Sequence, residues 1–134
     1  MRLAILNAAV ATAIAMALAS TAGAATPVRL PACGSTWYGG EVAPETWDRG
    51  CTGSADLADM VWERWGARSA VGHGVTMIND CDPSCADGSV SEAPARARVS
   101  RIRRCRDDRG RVRRFYTRIW LSADGRTYDL RCRP

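Results

Sequence analysis

The sequence predicts a mainly β fold, a small antiparallel sheet or β-sandwich stapled by three disulfides. Three observations lead there. Residues 111–123 alternate with period two, Phe115, Thr117, Ile119 and Leu121 on one face and Tyr116, Arg118 and Trp120 on the other. Turn chemistry recurs between short apolar runs, as in Asp107-Asp108-Arg109-Gly110 and Asp124-Gly125. Six cysteines, Cys33, Cys51, Cys81, Cys85, Cys105 and Cys132, make an even set downstream of an N-terminal export pattern.

Residues 1–24 read as a cleaved signal peptide. Arg2 is followed by an apolar run from Leu3 to Leu18 and a small-residue stretch in which Ala22 and Ala24 satisfy A-x-A. The run is short of the ~20 residues of a spanning helix, so no transmembrane span is expected after cleavage. A lipidation box at Leu30-Pro31-Ala32-Cys33 fits less well, because Thr26, Pro27 and Arg29 separate it from the apolar run. The expected localisation is secreted, extracellular.

Residues 25–56 hold many Gly, Pro and polar residues and predict an irregular arm with one or two short strands, tied down by Cys33 and Cys51. Residues 57–134 predict one antiparallel β domain. Its first segment, Leu57 to Trp65, is ambiguous. Leu57, Val61 and Trp65 recur at helical spacing, with Ser54 and Asp56 as N-caps. Its aromatic and β-branched content favours a strand. Arg68 to Asn79 predicts a strand whose Gly72 and Gly74 offer a flat strip for an aromatic ring to cover. Asp80 to Ser89 reads as a tight polar loop. Pro94 to Arg104 alternates Ala95, Ala97 and Val99 against arginines, then slips phase to Ile102, which suggests a bulge. The alternating strand to Ala123 follows, and Thr127 to Cys132 is the last. Six cysteines allow fifteen pairings. Cys81–Cys85 closes as a local staple, and Cys33–Cys51 with Cys105–Cys132 is then the least entangled completion.

Trp62-Glu63-Arg64-Trp65-Gly66, Ala70-x-Gly72-x-Gly74 and Asn79-Asp80-Cys81-Asp82-Pro83-Ser84-Cys85-Ala86-Asp87-Gly88 form an ordered signature. It resembles a family of small secreted actinobacterial proteins carrying W-x-x-W-G, A-x-G-x-G and N-D-C-x-P-x-C-A-x-G in that order. The resemblance spans residues 57–121, including Phe115-Tyr116-Thr117-Arg118. It implies export and a β-rich fold and transfers no catalytic residues. The arginine-dense tail and the pair Cys33 and Cys51 are less typical of that family.

The chemistry-bearing residues mostly have bland explanations. Cys81 and Cys85 are spaced C-x₃-C rather than C-x-x-C, which favours a structural staple over a redox or zinc site. Asp80, Asp82 and Asp87 invite a calcium reading, yet Cys85 and Ser91 occupy the positions where an EF-hand loop needs Gly and an acid. His73 is the single histidine, too few for a multi-histidine zinc site, and no G-x-S-x-G frames a serine nucleophile. No motif points to a carboxylate pair for glycoside hydrolysis. The chain is therefore read as non-enzymatic, with no catalytic residue, metal site or cofactor expected. Trp37, Tyr38, Trp47, Trp62, Trp65 and Trp120 are read first as core aromatics, with Trp62 and Trp65 assigned there.

Charge is more informative. Thr26 to Ala95 carries four arginines against ten acids, a net of −6, whereas Arg96 onward carries fourteen arginines against four acids, a net of +10. Within that basic half, Arg96, Arg98, Arg101, Arg103, Arg111, Arg113 and Arg118, interleaved with Tyr116 and Trp120, form a candidate anion-binding face. The bland alternative is a solvated arginine surface. The leading expectation is a binding or cell-envelope-associated module, held by long-range charge to anionic wall polymers or lipid headgroups. Nucleic acid is the less favoured polyanion. The alternative from another class is a protease inhibitor presenting a disulfide-braced loop, and self-association of the acidic and basic halves is a third reading.

Overall fold

The computed structural model describes residues 25–51 and 56–134; the expected signal peptide, residues 1–24, and the candidate cap Ser54 lie outside the described residues. Seven strands form one sheet: β1 (Val28–Pro31), β2 (Gly40–Glu41), β3 (Ala58–Trp65), β4 (Ala70–Asn79), β5 (Val90–Arg106), β6 (Val112–Leu121) and β7 (Arg126–Asp129). Their order is β2-β1-β6-β5-β4-β3, with β7 also on β6. Every pairing is antiparallel except β1 with β6, which run parallel at Val28↔Arg114 and Arg29↔Phe115. The fold is thus mainly β and a single sheet, the first of the two architectures expected. β6 is its hub. One edge pairs with β5, and the other is shared between β1 near Phe115 and β7 from Arg118 to Leu121.

The segment that read as either helix or strand is β3, and the register explains the ambiguity. Pairing with β4 shifts twice, between Ala58 and Val61 and again between Trp62 and Arg64. Each shift inserts a residue, so the inward positions Leu57, Met60, Trp62 and Trp65 advance in steps of three, two and three instead of two. The Leu57–Val61–Trp65 recurrence is a by-product of these bulges, and Val61 itself is exposed. On β4, Ala70, Gly72 and Gly74 form the expected flat strip. Any Cβ on Gly72 would meet the Trp62 ring and the Val61 carbonyl oxygen at 2.9 Å, and one on Gly74 would meet the Met60 sulfur at 2.8 Å. The two glycines are there for close approach.

The phase slip in β5 has a different origin from the bulge it suggested. Ser100↔Arg118 and Ile102↔Tyr116 keep one register on both sides of Arg101. Arg101 instead adopts φ 58°, and the Thr117 hydroxyl opposite donates to its carbonyl at 2.6 Å. Both strands change phase together. Ala97 and Val99 face inward with Leu121 and Ile119 above this point, and Ile102 faces inward with Tyr116 below it.

The arm wraps this sheet. Besides placing β1 on β6, it exchanges backbone hydrogen bonds with the opposite end of the strand order, where Trp47 pairs with Leu57 and the Met60 N–H donates to the Glu45 carbonyl. Three indole N–H groups tether it: Trp47 to the Pro31 carbonyl (3.0 Å), Trp62 to that of Pro44 (2.8 Å) and Trp65 to that of Val28 (2.8 Å). Each bond contributes about 0.5–1.5 kcal/mol. The rings also pack edge to face, Trp62 on Trp65 at 4.7 Å and Trp65 on Tyr116 at 5.2 Å. Trp62 and Trp65 are accordingly half-buried ring partners against the core rather than its centre. The disulfides are Cys33–Cys51 within the arm, Cys81–Cys85 in the β4–β5 loop, and Cys105–Cys132 joining the end of β5 to the C-terminal segment.

Candidate functional site

Cross-strand partners in a sheet share a face. On β5, β6 and β7 the inward residues Ala97, Val99, Ile119 and Leu121 leave two outward rows. Arg98, Trp120 and Thr127 form one, and Ser100, Arg118 and Asp129 form the next. Arg98, Ser100, Arg118, Trp120 and Thr127 line a groove of about 450 Å³. Trp120 presents its ring at 37% exposure between the two arginines. A guanidinium, an aromatic surface and a second guanidinium thus lie together on a rigid sheet.

Asp129 is the internal counter-ion of this face. Its Oδ1 accepts from Arg118 Nε at 3.0 Å and from Arg101 Nη1 at 3.5 Å. The Arg118 guanidinium, with Arg101 and Arg103 farther off, holds the Asp129 carboxyl below the usual carboxylate range against a weaker opposing effect of desolvation. Arg101 and Arg103 line a smaller recess of about 240 Å³ with Asp129 and Thr117. Three arginines, Arg101, Arg103 and Arg118, therefore converge around one carboxylate, whereas Arg98 makes no ion pair among the described residues.

The other expected residues separate from this group. Arg96 donates to Glu63 Oε1 at 3.2 Å, an oxygen that His73 Nδ1 also approaches at 3.1 Å. Arg111 and Arg113 lie at the far end of the β5–β6 hairpin, where both face Asp107 Oδ2, at 3.0 and 3.7 Å. Tyr116 does not belong to the face. The paired phase change at Arg101 and Thr117 turns it inward, where it is fully buried and its hydroxyl donates to the Gly66 carbonyl. Burial pushes its phenol pKa up, so it stays a neutral hydrogen-bond donor.

The β4–β5 loop is organised by its own polar side chains. Asn79 donates to the Cys85 carbonyl at 2.7 Å, Asp80 Oδ1 accepts the N–H groups of Asp82 and Ser89, and the Ser84 hydroxyl donates to Asp87 at 2.6 Å. The aspartates act there as turn formers. Among the described residues no cluster of His, Cys, Asp and Glu has the arrangement of a metal site.

Sequence reasoning missed one cluster. Trp37 and Tyr38, grouped with the core aromatics, are 61% and 65% exposed. The flanking Gly34, Gly39 and Gly40 were the available signal, since a tight glycine-bounded turn displays its side chains more readily than it buries them. Comparison with protein-family models, curated proteins and solved structures finds no match.

Proposed function

We propose that this protein is an exported, non-enzymatic binding module that attaches to anionic polymers or lipid headgroups of the cell envelope. The observation that carries the reading is the grouping of Arg98, Trp120 and Arg118 in one groove, with Arg101 and Arg103 beside it. A phosphate or carboxylate entering this groove meets two guanidinium groups able to donate in a fork, while Trp120 supplies apolar contact. The sheet fixes these groups beforehand, which lowers the ordering cost of binding. Arg98 has no carboxylate to give up, and Arg118 has only the solvent-exposed Asp129.

Soluble polyphosphate and vesicles containing anionic lipid, each titrated at low salt, test the assignment. Arg98→Ser with Arg118→Ser weakens binding strongly. Arg111→Ser with Arg113→Ser has a smaller effect, because Asp107 already engages those side chains. Asp129→Asn tightens binding a few-fold by releasing Arg118 and Arg101. Equal losses from both arginine pairs would mean that net charge, not this groove, carries the interaction.

A further inference from the structure

We infer that the groove between the arm and β7 is a binding site for a saccharide ring, separate from the arginine groove. At about 710 Å³ it is the larger of the two. Trp37 and Tyr38 form one wall, and Tyr128 and Arg49 also line it. Neither Trp37 nor Tyr38 belongs to the core cluster, so the fold does not use these two rings for burial.

The fold nonetheless holds their backbone firmly. They occupy a tight turn, Thr36–Tyr38, in which the Ser35 hydroxyl oxygen accepts the Trp37 N–H at 3.3 Å. Thr36 is buried and its hydroxyl oxygen accepts the Arg133 N–H at 3.2 Å. The Arg133 guanidinium lies 4.3 Å from the Trp37 ring centre, and Arg49 lies 4.4 Å from that of Tyr128. Gly34 accepts the Arg131 N–H at 3.0 Å, pinning the C-terminal wall to the arm. Exposed aromatic surface on an ordered frame has little ordering entropy left to lose when a ligand stacks on it.

The polar residues select the ligand class. A saccharide offers apolar C–H faces for aromatic stacking and hydroxyls at its rim, and Arg49, Arg131 and Asp129 provide donors and an acceptor for them. A nucleobase would also stack, and oligothymidylate at high salt, where phosphate attraction is screened, is the competing ligand in the test. An apolar peptide would offer no acceptor to the Arg49 and Arg131 side chains that line the groove.

The test uses the intact protein, with binding followed by isothermal titration calorimetry during titration with the N-acetylglucosamine hexamer, cellohexaose and oligothymidylate at high salt. High salt suppresses the arginine groove, so failure here is distinguishable from failure of the envelope reading. The expected result is saturable binding of at least one of the two oligosaccharides. Trp37→Ala or Tyr38→Ala weakens it by up to about tenfold, the scale of one lost aromatic contact. Arg98→Ser, which keeps the Arg118–Asp129 contact, leaves it unchanged. Both aromatic variants should stay folded with melting temperatures close to native, since these rings lie outside the core and Trp37→Ala loses only its contact with Arg133. Absence of saturable oligosaccharide binding, binding as tight in both aromatic variants as in the wild type, or saturation by oligothymidylate alone would overturn the assignment.

Discussion

A single carboxylate organises the turn between β5 and β6. Asp107 is only 5% exposed. Its Oδ1 accepts the N–H groups of Arg109 and Arg111 at 3.0 and 2.8 Å, and its Oδ2 accepts from the Arg111 guanidinium at 3.0 Å. Desolvation alone would raise its pKa. The backbone N–H and guanidinium of Arg111, with the Arg109 N–H, together outweigh that and hold it below the usual value. A depressed carboxyl pKa adds stability above the unfolded value of about 3.9, and that stability is lost as pH falls through the lower folded value. The melting temperature is therefore expected to drop as pH falls from about 4 towards 2, with Asp129 and Asp124, also depressed, contributing. Asp107→Asn lowers the melting temperature by several degrees at neutral pH and flattens part of the acid limb, as circular dichroism melts over that range would show. An acid limb identical to wild type would show that Asp107 does not contribute to it. At this scale the sequence was legible for the turn, because Asp-Asp-Arg-Gly names its own chemistry. Tyr116 was not, because its inward turn depends on the backbone of Arg101 across the strand.

At the scale of elements, period-two alternation made β5 and β6 readable and the two bulges blurred β3. A strand whose inward residues advance by three, two and three mimics a helical stripe over nine residues, and only its partner strand resolves the difference. The three sequence signatures are parts of one packing arrangement. Trp62 covers Gly72, Met60 covers Gly74, and Trp65 faces Ala70 across the β3–β4 pair. Gly72→Val should consequently cost about 1–3 kcal/mol in urea denaturation, the usual penalty for overpacking a tight contact. Val is otherwise favoured in strands, so a neutral or stabilising result would contradict the contact-driven explanation. The arm was legible as irregular and disulfide-tied, but its docking was hidden. Tethering by three indoles depends on carbonyls at Val28, Pro31 and Pro44 that no local pattern singles out.

At the scale of the whole molecule, charge asymmetry and covalent staples dominate. The three disulfides form within the arm, within one loop and between β5 and the C-terminal segment, as the least entangled pairing expects. The two longer loops, 18 and 27 residues, each contribute roughly 3–3.5 kcal/mol by chain-entropy reasoning. The +10 half of the chain does not form one uniform face. The sheet sorts its arginines into a group at Asp107, a contact with Glu63, and the convergent set around Arg98, Trp120 and Arg118. Counting charges revealed the excess, whereas only strand register showed which of them act together. Co-sedimentation of the disulfide-bonded protein with purified cell envelopes, at low and at high salt, tests the central claim most directly. Sedimentation with the envelopes at low salt and release at high salt is the predicted result; failure to sediment at either, or attachment indifferent to salt, would contradict it.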